Sequence, residues 1–172
     1  DLILVSRDIG AHGATIFTAR EGMDMHSNLK SDCNSLYPQV KALIDSGVKI
    51  TALRDATRGG VSAVLNEWAK QSNICIEVEE EQIPISDEVK GICEMLGFEA
   101  TNLANEGTFL LAIKKEDAAR AIEVLHKFEE AKNASIIGKV TAQYPQKVIL
   151  NSSWGTKRFL DTPTGELLPR IC

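Results

Sequence analysis

The chain has 172 residues, 44% of them hydrophobic and 25% charged, with a formal net charge of −5. That length suits one globular domain with a real core, or one large domain with an appendage. The acidic balance, the absence of a Lys/Arg block and the absence of an apolar run of ~18 residues argue against nucleic acid, anionic membrane and a transmembrane helix. No basic region followed by an apolar stretch and a small-residue cleavage site marks a signal peptide. The chain starts at Asp1 and enters a strand-like stretch at once, which reads as a piece of a longer protein.

In chain order, LILVS (2–6) reads as a buried strand, and a Gly-containing turn leads to a helix over 13–21. SDCNSLYPQVKALIDSG predicts a second helix with Leu36, Val40, Leu43 and Ile44 on one face and Gly47 at its end. VKITALRD (48–55) is a strand ending in charge. GGVSAVLNEWAKQS follows as an amphipathic helix with Val61, Val64, Leu65 and Trp68 inward. ICIEVEE (74–80) alternates apolar and acidic residues, the pattern of a half-exposed strand. Ser86 caps a helix running to about Leu96, which Gly97 ends. TFLLAIK (108–114) is a strand, and KEDAARAIEVLHKFEE is a helix to about Glu129. SIIGKVTA and KVILNSS read as strands, and WGTKRFLD as an added edge strand. DTPTGELLPRIC has two prolines, a glycine and no periodicity, so residues 161–172 are expected to form a mobile tail on a 1–160 domain. Strands and helices alternate without a strict βαβ beat, which predicts an α+β domain: a mixed β-sheet covered by helices.

The cysteines are Cys33, Cys75, Cys93 and Cys172. No CxxC pair or zinc-finger spacing links them, which favours a reduced, cytoplasmic chain. Cys75 and Cys93 sit among apolar neighbours and read as buried; Cys33, near a helix start, is a candidate reactive thiol. A thiol on the last residue is different, because the end of a chain travels furthest and can meet more than one partner.

Three internal stretches could carry chemistry. In ALRDATRGGV a strand ends at Asp55, and Gly59 and Gly60 precede a helix, offering free N–H groups to an anion. Asp55 suits a hard cation such as Mg2+ and Arg58 a phosphate; an ordinary helix cap with a surface arginine would read the same way. In NLANEGTF, Asn105, Glu106 and Gly107 lie between a helix and an apolar strand. There a carboxylate serves as a general base or simply as part of a polar turn. His12, in GAHGAT, is either a further acid–base candidate or a polar loop residue; His26 and His126 read as surface residues.

DATRGGV, ANEG, the HGAT turn and the terminal PRIC together resemble, in order and over essentially the whole chain, the carboxy-terminal half of the HypE family of hydrogenase expression/formation proteins. That family lies in the superfamily of aminoimidazole ribonucleotide synthetase and selenophosphate synthetase, whose members carry a preceding ATP-binding domain that this sequence lacks. The resemblance implies an ATP-dependent carbamoyl dehydratase of [NiFe]-hydrogenase maturation. The carbamoyltransferase HypF would load a carboxamide onto Cys172, ATP would drive its dehydration to thiocyanate, and the cyano group would pass to iron on the HypC–HypD complex. It further implies Glu106 as base, with His12 as a second candidate. Asp55, Arg58, Gly59, Gly60 and Asn105 would act toward nucleotide, Asp55 as a Mg2+ ligand, and dimerisation would run mainly through the other half. The turn reads GAHG where relatives commonly have GDHG, so Ala11 supplies no carboxylate. Two other functions fit the sequence: a non-catalytic carrier or scaffold presenting Cys172, and a different ATP-dependent synthetase in which the last cysteine is incidental.

Overall fold

The apolar run at the amino end forms a central strand, β1 (Leu2–Val5), with β4 (Phe109–Ile113) on one side and β5 (Ser135–Thr141) on the other. Both neighbours run antiparallel to it; Val5 faces Leu110 across the ladder and Leu4 faces Leu111. The computed structural model describes residues 1–20 and 29–163. His26, Cys172 and the tail from residue 164 onward therefore lie outside the described residues.

Four further strands complete a seven-stranded sheet: β2 (Ile50–Asp55), β3 (Cys75–Glu79), β6 (Lys147–Asn151) and β7 (Lys157–Phe159), in the order β2-β4-β1-β5-β3-β6-β7. All pairs are antiparallel except β3 with β6, so the sheet is mixed and the fold is α+β, as the pattern predicts. Period-two alternation divides the buried residues between two cores. Ile3, Val5, Leu110, Ala112, Ile76, Val78, Val148 and Leu150 face one core. It is shared with α1 (Ala11–Arg20), α3 (Gly60–Ser72) and α4 (Asp87–Leu96). Leu4, Phe109, Leu111 and Ile113 face the other, against α2 (Tyr37–Asp45) and α5 (Ala118–Leu125).

Local signals place several helix ends. Ser86 accepts a hydrogen bond from the Val89 amide at 3.3 Å, and Gly97 closes α4 in the left-handed conformation with φ 70°. Ser86→Ala removes that acceptor and leaves a first-turn N–H unpaired; it should lower stability by about 1 kcal/mol, read as a shift in the urea midpoint at constant slope.

Other elements depart from the pattern. α1 begins at Ala11, so His12 and Gly13 belong to its first turn rather than to a loop. α2 begins only at Tyr37, with Pro38 in its first turn, which leaves Cys33 exposed in the loop before it. Gln39 takes an inward position on α2, while Ile44 is 62% exposed. α5 stops at Leu125 instead of Glu129, because the chain turns to bring Phe128 and Ala131 onto the second core. β3 is not half-exposed: it is flanked by two strands, and Glu77 is 5% exposed. Lys139 sits opposite Glu77 in the ladder with its ammonium 3.8 Å from the carboxylate, and Thr141 Oγ1 donates to it at 3.4 Å. The acidic position in the alternation is thus a cross-strand ion pair under a lysine stem.

Cys75 and Cys93 are buried, as their neighbours predict, and burial, helped by Glu94, raises the Cys93 thiol's pKa. At the far end Leu160 is buried, and its carbonyl accepts from Asn66 Nδ2 at 2.8 Å. Lys70 Nζ donates to Thr162 Oγ1 at 3.4 Å, a further contact between α3 and the residues after β7.

Candidate functional site

Residues 101–108 form a strap between α4 and β4, and two glycine turns and the loop before α2 close onto it. Where β1 leads into α1, Gly10 takes φ +83° and its amide donates to Asn105 Oδ1 at 2.7 Å. Gly13 follows, its amide on the Ala104 carbonyl at 3.0 Å; a Cβ there would stand 3.0 Å from the Ala104 nitrogen. Where β2 leads into α3, Gly59 and Gly60 both take left-handed backbone, and a Cβ on Gly60 would fall 2.5 Å from the carbonyl oxygens of Thr101 and Leu103. The glycines are therefore needed for conformation and for close approach alike.

Asn105 is the hub of this packing. It is 1% exposed, and Nδ2 donates to the carbonyls of Ala56 and Leu103, each at 3.0 Å, while Oδ1 accepts from Gly10. Its own amide reaches the Ala56 and Thr57 carbonyls at 3.2 and 3.3 Å. Both polar atoms of this side chain are engaged within the protein, joining the two turns and the strap.

The third element is the loop before α2, which the sequence pattern did not mark. Asp32 is 3% exposed and accepts from the Glu106 amide at 3.0 Å through Oδ1. Its Oδ2 accepts from the Gly107 amide at 2.9 Å and from Thr108 Oγ1 at 2.8 Å. A Cβ on Gly107 would lie 1.8 Å from the Asp32 carbonyl oxygen, so only glycine lets the two segments meet. Beside it, Ser31 Oγ accepts from the Cys33 amide at 3.1 Å and lies 2.9 Å from His12 Nδ1. The one sequence signal for Asp32 was indirect: a glycine after Glu106 with no turn of its own to make.

The structure thus places Glu106 and Asn105 on one strap, with the Asp55–Gly60 turn and the first turn of α1, which carries His12, against it. Glu106 is half-buried, and among the described residues no hydrogen bond or ion pair engages its carboxylate. Asp55 ends β2 opposite Phe109, is exposed, and accepts from Thr57 Oγ1. Arg58 is exposed and makes no ion pair among the described residues. Pro163 reaches this turn, its ring 3.8 Å from a Cβ position on Gly59. Among the described residues no group of three or more His, Cys, Asp or Glu side chains is placed to hold a metal. No helix among them is long and apolar enough to cross a membrane.

A mixed seven-stranded sheet with helices on both faces and glycine turns closing on one strap is the α+β fold of the AIR-synthase type. The chain belongs to the family of the AIR synthase related protein, C-terminal domain, whose pattern matches residues 1–151. Within it, the chain is similar to hydrogenase-maturation proteins. It is 44% identical to carbamoyl dehydratase HypE of Escherichia coli, covering 100% of this chain and 50% of that protein. A putative hydrogenase expression/formation protein of Methanocaldococcus jannaschii is also 44% identical, with 100% and 51% covered. The chain therefore spans about half the length of the curated relatives it matches. Among solved structures, hydrogenase maturation protein HypE superposes with a TM-score of 0.94 at 35% identity over 99% of this chain and 55% of that one. HypE in complex with ATP gives 0.93 at 34% identity over 99% and 52%. A HypE–HypF complex gives 0.89 at 36% identity over 94% and 52%.

Proposed function

We propose that this chain is the carboxy-terminal half of an ATP-dependent carbamoyl dehydratase, in which Cys172 carries a carboxamide and Glu106 serves its dehydration to thiocyanate. The observation that supports this most is Glu106 itself: its main chain is clamped at two successive amides, yet its carboxylate is left without a partner among the described residues. A carboxylate used only to build a turn would be expected to spend its oxygens on that turn. Here Asp32 and Asn105 do the building, and Glu106 remains available for proton transfer.

The chemistry needs such a group. An amide oxygen is a poor leaving group, and bound ATP supplies the phosphoryl group that lets it depart as phosphate. The amide nitrogen must lose two protons as the C≡N bond forms: the Glu106 carboxylate takes one, and the other leaves with the phosphate. Arg58 and the amides at Gly59 and Gly60 face the negative charge of a transferred phosphate, and Asp55 gives one oxygen to Mg2+. His12, on the first turn of α1 beside the strap, is the second candidate. The residues preceding this chain in its relatives would hold most of the nucleotide and metal and form the homodimer. HypF would load Cys172, the HypC–HypD complex would receive the cyano group, and the reactions would run in the cytoplasm.

The direct test is the mass of Cys172 in a full-length protein carrying this half. Incubation with HypF and carbamoyl phosphate should add a carboxamide, and ATP should then remove one water. A carboxamide that ATP leaves unchanged would make the protein a carrier only. The same division of labour predicts weak nucleotide binding by residues 1–172 alone, since the Asp55–Gly60 turn offers only the Asp55 carboxylate and the Arg58 guanidinium. Calorimetry showing micromolar ATP affinity for this half would place the nucleotide site here and overturn that division.

A further inference from the structure

A second carboxylate lies against this strap, buried beneath it. Asp32 is nearly fully buried, and its two oxygens take the amides of Glu106 and Gly107 and the Thr108 hydroxyl. Two successive amides bound to the two oxygens of one carboxylate fix the two peptide planes that flank the Glu106 Cα. Those planes set the direction in which the Glu106 side chain leaves the strap. Charge-assisted hydrogen bonds of this kind are short and directional, so the constraint is stiff. The loop carrying Asp32 is held in turn through Ser31, which binds His12 and the Cys33 amide. It is also held by Gly107, which has no side chain to push Asp32 away.

We propose that Asp32 is a positioning residue for the dehydration step, acting through Glu106. This rests on the reading of Glu106 as the base. A merely structural role would give Asp32 the same contacts, but the two roles separate in kinetics. A base aimed by its main chain loses rate when that aim drifts, while loading of Cys172 by the carbamoyltransferase is untouched.

Asp32→Asn is the informative change. Asparagine keeps the size, but its NH2 must confront one of the two amides that the carboxylate satisfies. In full-length protein loaded with the carboxamide, Asp32→Asn should slow conversion to thiocyanate by roughly 10-fold to 100-fold at saturating ATP. The KM for ATP and the extent of loading should hold. The same change made on Glu106→Gln should cost nothing further, since the group it aims is already gone. Thr108→Val removes one donor and leaves the carboxylate in place. It should give a smaller loss of the same kind, also absent on Glu106→Gln, and it carries the test if Asp32→Asn does not fold. A parental rate in Asp32→Asn, or equal losses with and without the Glu106 carboxylate, would overturn the proposal while leaving Glu106 as base. A parental rate in Glu106→Gln alone would remove the base itself, and the role of Asp32 with it.

Discussion

Cys172→Ala in the full-length protein should abolish acceptance of the carboxamide, with no residual fraction on the tail. The group is held by a bond between sulfur and the carbonyl carbon, and no other atom of the tail is a comparable nucleophile near neutral pH. The rest of the chain offers few substitutes. Cys75 and Cys93 are buried, and burial keeps Cys93 in the unreactive thiol form. Cys33 is the exposed thiol among the described residues, and it lies beside the Ser31–Asp32 loop of the candidate site. Mass mapping after incubation with HypF and carbamoyl phosphate therefore has a sharp alternative. A carboxamide that persists in Cys172→Ala and vanishes in Cys33→Ala would move the carrier to the body of the domain and make the terminal cysteine incidental.

What the sequence reveals of this fold follows the range over which each signal acts. The start and stop of α4 are written in Ser86 and Gly97, because a cap is made within one turn of the residue that supplies it. The strands are legible where both faces are buried, as in FLLAI, since an unbroken apolar run has few other uses. Long-range pairing is where the pattern misleads. Glu77 looks solvent-facing until Lys139, brought opposite by β5, covers it. The helix-forming run after Leu125 yields to the burial of Phe128 and Ala131. The site divides in the same way. The Asp55–Gly60 and Asn105–Gly107 turns are visible as motifs, because glycine and asparagine at strand ends advertise backbone demands. Asp32 is invisible, as its partners lie more than seventy residues away and its own neighbours form an ordinary polar loop.

Glu106→Gln separates carrying from catalysis. Loading of Cys172 should proceed at the parental level, because the carbamoyltransferase performs that step in its own site and needs only the tail. Dehydration should slow by about 100-fold or more, the usual worth of a placed acid–base group. Folding should be little affected: the bonds that fix this residue run from its amide to Asp32 and from Asn105 to the turns, and none uses the carboxylate. Glutamine keeps the length and a hydrogen-bonding oxygen but cannot take the proton, so the loss reads proton transfer rather than packing. The measurement is the mass of the loaded tail as a function of time after ATP is added. Conversion at the parental rate would make Glu106 a turn residue and shift the search to His12, whose ring meets Ser31 and whose neighbour Gly13 bonds the strap, or to the half that precedes this chain in its relatives.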